Sequence, residues 1–283
     1  MCNGFFTEYG YVIKKITNAN LFSNLLASEG GQLNLVEVKP GVGEPVIFID
    51  GFLTEEKDNT DDWESQLKEI YPYNPWYHLV WESKNLKAIG AQISLQLGSR
   101  MLAGRVLASA TPLGWSLFAY SVVSNPWTKA YARAKAVGAM LGEAIAETDQ
   151  HFILCGHSLG ARVIFHALAN LSTKDCAQVH EVHLLGGAVS NRAKNWEAVT
   201  PYVRFGINNY TSQNDRVLSM LYKVGTAFTS HPIGIRDIEV EGVNNIDVSH
   251  IVKGHTEFKD NFFELVLHKT KEEVSQSQGN IPS

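Results

Sequence analysis

The chain has 283 residues, 45% of them hydrophobic and 19% charged, with a formal net charge of −5 and a pI near 6.1. That composition can bury a sizeable core and excludes a disordered chain, while the acidic balance, without any dense run of Lys and Arg, excludes a general binder of nucleic-acid phosphates. Cys2, Cys155 and Cys176 are an odd, sparse set without metal-ligand spacing, so neither a disulfide framework nor a cysteine metal site is expected.

The first residues, MCNGFFTEYGYVIKK, lack a basic segment followed by an apolar one, and Glu8 interrupts them, so no signal peptide is expected. The expected location is cytoplasmic, with peripheral membrane contact as the alternative and export by a route needing no signal peptide as a further one. The length suits one large domain over 1–283, with an insertion at about 84–124 and a polar tail at 271–283 that is expected to fray.

Thr17 to Ser28 can form a short helix, and Asn34 to Lys39 alternates as a half-buried strand before Pro40-Gly41-Val42-Gly43 turns the chain. Pro45-Val46-Ile47-Phe48-Ile49-Asp50 is an apolar run bounded by turn residues, the pattern of a central parallel strand buried on both faces. After Gly51-Phe52-Leu53 comes a charged loop, then a helix over Asp61 to Tyr71 with Trp63, Leu67 and Ile70 on one face. His78 to Glu82 reads as a short strand.

The region from Lys84 to Thr148 is longer than one crossover helix needs. Between Met101 and Ser124 the sole charge is Arg105, so this stretch has the length of a membrane span. Seven Ser, Thr, Gly or Pro residues between Ser109 and Ser124 dilute it, however, and Pro112 would break a helix near its middle. A buried hairpin or cap is favoured over contact with a membrane surface, and that over spanning. Asn125-Pro126-Trp127 then starts a helix in which Ala130, Ala134 and Gly138 form a stripe of small residues suited to close packing on a sheet.

The most informative stretch is His151 to Ile164, HFILCGHSLGARVI. An apolar strand runs through Gly156-His157-Ser158-Leu159-Gly160 into a helix, the setting of a nucleophile elbow. A serine at so sharp a turn has strained dihedrals, and side chains at Gly156 and Gly160 would collide with strand and helix. Val179 to Val189 and Val203 to Ser212 follow as strands, and Ile238 to Val243 as the last. Strands alternating with helices of crossover length predict a doubly wound, mostly parallel sheet of the α/β hydrolase fold.

A hydroxyl is a poor nucleophile at neutral pH, so Ser158 needs an imidazole to take its proton and a carboxylate to orient that imidazole. In this fold the order is Ser, acid, His. Asp215 follows a strand and precedes an apolar helix, where it could serve as acid or simply cap the helix; Asp237, Glu239 and Asp247 are weaker rivals. His255, freed by Gly254 at a helix start, is the favoured base, and His250 its competitor. Backbone N–H groups of Phe52 and Leu159 are the expected oxyanion donors. Asp50 stands where many lipases carry a histidine, leaving its role open. The remaining histidines, including His151, His166, His180 and His183, show no H-x-x-x-H helix spacing, so no metal and no cofactor is expected.

Gly51-Phe52-Leu53-Thr54-Glu55, Leu79-Val80-Trp81-Glu82-Ser83-Lys84, Asn125-Pro126-Trp127, Gly156 to Ile164, Leu184 to Val189 and Asn214-Asp215-Arg216-Val217-Leu218 follow one another from about Pro45 to Phe258. In that order the chain resembles the family catalogued as domain of unknown function 726, α/β hydrolase-like proteins whose eukaryotic members include transmembrane and coiled-coil domain proteins. It departs from them in being short, in having no coiled coil and in its weak counterpart of the membrane region, so membrane anchoring does not transfer.

The expected function is a serine hydrolase cleaving carboxylic esters, of lipid or acyl type, through an acyl-enzyme on Ser158. Its partners would be a small-molecule or lipid ester substrate, with membrane-surface contact through 101–124; no nucleic acid is expected, and the sequence does not fix an oligomeric state. The alternative is a non-catalytic protein of the same fold that binds lipid, membrane or a protein partner through the apolar insertion.

Overall fold

The computed structural model describes residues 34–51, 60–81, 126–225 and 230–279. Phe52, the expected helix at 17–28 and the apolar stretch 101–124 lie outside them.

Seven strands form one sheet: β1 (Asn34–Lys39), β2 (Val46–Ile49), β3 (Trp76–Val80), β4 (Phe152–His157), β5 (Val179–Leu185), β6 (Ile207–Thr211) and β7 (Val243–Asp247), in the order β1-β3-β2-β4-β5-β6-β7. β1 pairs antiparallel with β3, and every other pairing is parallel. The helices are α1 (Asp61–Ile70), α2 (Pro126–Ala146), α3 (Leu159–Thr173), α4 (Ala193–Glu197), α5 (Arg216–Gly225), α6 (Glu257–Asp260) and α7 (Phe262–Gly279), with a 3-10 turn at Thr200–Tyr202.

The alternation of side chains along the strands sorts them into two cores. On β2, Ile47 and Ile49 join Ala130, Ala134, Val137, Val163, Ile164 and Leu168 of α2 and α3. Val46 and Phe48 join Trp63, Leu67, Phe258, Phe262 and Leu265 of α1, α6 and α7 on the other face. With helices on both faces every residue of β2 and β4 is buried, which is why both read as unbroken apolar runs. Each large side chain buried this way contributes roughly 1.5–3 kcal/mol. This sheet order, with one antiparallel edge, is the α/β hydrolase fold.

The glycines on the small-residue face of α2 meet α3. A Cβ on Gly138 would strike the Val163 carbonyl and His166 Cβ, and one on Gly142 would lie 2.6 Å from the Ala167 carbonyl oxygen. The glycines let α2 approach the backbone of α3, helix on helix, rather than a strand.

The strand limits also differ from the sequence reading. β3 is displaced two residues toward the N-terminus, β5 stops at Leu185 because Gly186 takes φ 53°, and β6 begins at Ile207, Val203 making only an isolated bridge to Val179. The last strand is Val243–Asp247 rather than Ile238 to Val243. Ile238 has its backbone N–H and carbonyl satisfied by the Asn245 side chain, each at 2.9 Å, so it has no ladder to join. β7 reads as polar because it is zipped by asparagines: Asn244 bonds to Asn208 at 3.1 Å, and Asn209 to Asn245 at 3.0 Å. α7 continues to Gly279, well into the polar stretch expected to fray.

Candidate active site

The sharp turn after β4 fixes Ser158. Its φ of 56° and ψ of −114° lie where non-glycine residues are rarely found, at a cost of about 1–3 kcal/mol. Neighbours hold it there: Ser158 N–H donates to Leu185 O at 3.0 Å, and Ala188 N–H donates to Ser158 O at 2.9 Å. A Cβ on Gly156 would lie 2.7 Å from Ala161 N and from the Ile164 side chain, and one on Gly160 would strike the Ile49 carbonyl. Gly51, just past β2, completes the crowding, since a Cβ there would sit 2.5 Å from Ser158 Cβ and 3.2 Å from its Oγ.

Ser158, His255 and Asp215 lie in one hydrogen-bonded chain. His255 Nε2 is 2.9 Å from Ser158 Oγ, and His255 Nδ1 is 2.6 Å from Asp215 Oδ2. A carboxylate, which only accepts, on one side of the imidazole and a hydroxyl, which can donate, on the other assign the proton: Nδ1–H donates to the carboxylate, leaving Nε2 to accept from the serine hydroxyl. The two carboxylate oxygens of Asp215 have different partners. Oδ1 accepts the Leu218 N–H at 2.9 Å and caps α5, while Oδ2 faces His255. Asp215 is 1% exposed, so its orientation is fixed by burial as well. His250 instead packs its ring 4.6 Å from that of His268 on the exposed side of the chain, and so does not join.

The loop bearing His255 is fastened to four adjacent strand ends. From β4, His157 Nε2–H donates to the His255 carbonyl at 2.8 Å. From β5, Gly186 leaves room for the Phe258 ring, which a Cβ would approach to 2.7 Å. From β6, Ser212 Oγ and Asn214 Nδ2 donate to Val252 O at 2.9 and 3.2 Å. From β2, Asp50 Oδ1 pairs with Lys259 Nζ at 2.9 Å.

Burial, followed by the charges of His255 and Lys259, pushes His157 well below the usual histidine range, so it stays neutral and acts as a donor to the loop rather than as a base. Asp50, whose role the sequence leaves open, accepts from Trp63 Nε1 at 3.0 Å and pairs with His78 Nε2 at 3.0 Å. Burial raises its carboxyl, but the His78 hydrogen bond and the charges of Lys259 and His78 outweigh that and hold it well below the usual range. Lys259 escapes a sequence reading. The available signal is a lone cation between Phe258 and Phe262, which needs a buried anion, and an aspartate ending an apolar strand supplies one.

Leu159 opens α3 beside Ser158, and first-turn amides have no acceptor within their own helix. Phe52, the other expected donor, lies outside the described residues. Cys155 is fully buried, and burial pushes its thiol well above the usual range, so it remains a neutral core residue. His183 is a core histidine between the Tyr71 and Tyr210 hydroxyls, at 2.8 and 3.1 Å. Among the described residues no group of three His, Cys, Asp or Glu side chains could hold a metal ion, and no helix is long and apolar enough to cross a membrane.

Comparison with known proteins places this site in a family. The chain is 30% identical over 276 residues to the transmembrane and coiled-coil domain-containing protein STS1 of Oryza sativa subsp. japonica, covering 88% of this chain and 41% of that protein. It is 27% identical over 239 residues to the probable lipase MIL1 of Saccharomyces cerevisiae, covering 78% of this chain and 22% of that one. The chain thus spans less than half the length of these curated relatives. Among solved structures, alpha/beta hydrolase domain-containing protein 10 from mouse overlays at a TM-score of 0.42 and 13% identity, covering 89% of this chain and 96% of that chain, too loosely to bear on activity. The family described as "Protein of unknown function (DUF726)" matches residues 18–271, and the chain belongs to it.

Proposed function

We propose that the protein is a serine hydrolase that cleaves carboxylic esters of lipid or acyl type. The observation that carries this reading is the unbroken hydrogen-bond chain from Ser158 Oγ through His255 to Asp215, on a serine in strained backbone geometry. Ser158 Oγ attacks the ester carbonyl carbon as His255 Nε2 takes the hydroxyl proton, and Asp215 stabilises the resulting imidazolium. The tetrahedral oxyanion is held by the N–H groups of Leu159 and Phe52. When the intermediate collapses, the carbon–oxygen bond to the alcohol breaks and His255 returns its proton to that oxygen, leaving an acyl-enzyme. Water, deprotonated by the same imidazole, then releases the acid and restores Ser158.

The preference for lipid-like esters is supported by the apolar composition of 101–124, which could line an acyl-binding cleft, and by the similarity to a protein named a probable lipase. Peripheral association with a membrane through 101–124 belongs to the same reading, supported by similarity to a protein named as transmembrane. The test is a chain-length series of p-nitrophenyl esters and phospholipids turned over by the wild type and by Ser158→Ala. Turnover by the wild type that Ser158→Ala abolishes is the expected result. Absence of turnover across the series, or turnover that survives the substitution, contradicts it.

A further inference from the structure

Lys259 is 7% exposed, four residues past His255, with its Nζ 2.9 Å from Asp50 Oδ1, 3.9 Å from Asp62 Oδ2 and 6.0 Å from the centroid of the Trp63 ring. Burying an ammonium is costly, and an apolar side chain of the same volume commonly serves stability as well or better. A lysine here therefore calls for a reason other than packing.

Its partner is fixed from several sides. The Asp50 carboxylate meets Trp63 of α1 and His78 of β3, while its carbonyl accepts the Trp81 Nε1–H at 3.0 Å. Asp50 is thus a rigid post, and the chain leaves it directly into Gly51, which abuts Ser158. The anchors from β4, β5 and β6 hold the His255 loop from the nucleophile side onward. Lys259 adds the anchor on β2, the strand whose end leads to Phe52.

We propose that Lys259 is a positioning residue, whose ion pair with Asp50 sets the spacing between the His255 loop and the strand end that begins the oxyanion-binding backbone. This rests on the serine hydrolase reading for its effect on rate, but the placement of His255 can be measured without turnover.

The experiment compares the wild type, Lys259→Met and Asp50→Asn/Lys259→Met, the double variant leaving no unpaired buried charge should the single one fold poorly. The probe is p-nitrophenyl butyrate, and the independent readout is the low-field proton resonance of His255 Nδ1–H, assigned by its absence in His255→Ala. In the double variant kcat is expected to fall at least about tenfold with KM within about twofold, a loss in transition-state stabilisation rather than in binding, and the resonance to shift or broaden. Wild-type kcat or an unchanged resonance in the double variant overturns the proposal. If the wild type hydrolyses no ester, the hydrolase reading fails, whereas the resonance still decides whether Lys259 positions His255.

Discussion

His157 and His255 are joined by a hydrogen bond from the ring of one to the backbone of the other: His157 Nε2–H meets the His255 carbonyl at 2.8 Å, with the two rings 4.8 Å apart. The residue that precedes the nucleophile thereby holds the loop that carries its base. Replacing His157 with Phe keeps an aromatic ring and removes the donor. A lost positioning bond of this kind is worth about 1 kcal/mol, so kcat should fall roughly fivefold with little change in KM. Steady-state kinetics on a short p-nitrophenyl ester checks this.

The two oxygens of Asp215 make Asp215→Asn informative. An amide can still cap α5 by accepting from Leu218 N–H with its oxygen, which turns its NH2 toward His255. The imidazole then carries its proton on Nε2 and cannot accept from Ser158. Turnover should drop by roughly 10⁴-fold, while stability to urea changes by less than about 1 kcal/mol. Asp215→Ala should lose the cap as well and be clearly less stable.

Gly51→Ala would put a methyl group 2.5 Å from Ser158 Cβ, where backbone or nucleophile must shift. Overpacking of this kind costs about 1–3 kcal/mol, and a displacement of about 1 Å at the reacting atom costs roughly 100-fold in rate. Urea melts and kcat/KM measured on one preparation should show both losses.

Acid should destabilise the fold in two stages. Burial, then the charges of Arg162 and Lys135, lower His166 from its ordinary 6.5 to about 3, and burial also lowers His157 well below the usual range. A histidine depressed in the native state leaves the unfolded chain binding more protons below about pH 6.5, so its contribution is present above that pH and is lost as pH falls toward the folded value. Asp50 and Glu181, both held below the usual carboxylate range, add a second loss beginning near pH 4. Stability from urea melts should therefore be flat above about pH 7 and decline in both windows. His166→Gln should reduce the slope between about pH 6.5 and 4.5 without touching the second loss.

The legible parts of this protein were those whose physics is local. A run such as Val46–Ile49 must be apolar because helices cover both its faces, and Gly156 and Gly160 stand where any Cβ would collide. Ser158, Asp215 and His255 each occupy a strand end that the motif order names, and the fold brings them within hydrogen-bond reach. β7 escapes the pattern because asparagines, bonded side chain to side chain with those of β6, stand on it where apolar residues mark the other strands. Asp50 and Lys259 were hidden because 209 residues separate them, and only the closed sheet shows that the charge on one answers the charge on the other. Gly138 on α2 meets the backbone of α3, a neighbour its sequence does not name, because small residues permit close approach without saying to what.

Whether Ser158 is a nucleophile activated by His255 can be measured on the protein itself. The most direct measurement is intact and peptide mass spectrometry after treatment with a fluorophosphonate probe. One covalent adduct is expected on the peptide containing Ser158, absent in Ser158→Ala and formed far more slowly in His255→Ala. An unlabelled wild type, or an adduct that persists in Ser158→Ala, would contradict it.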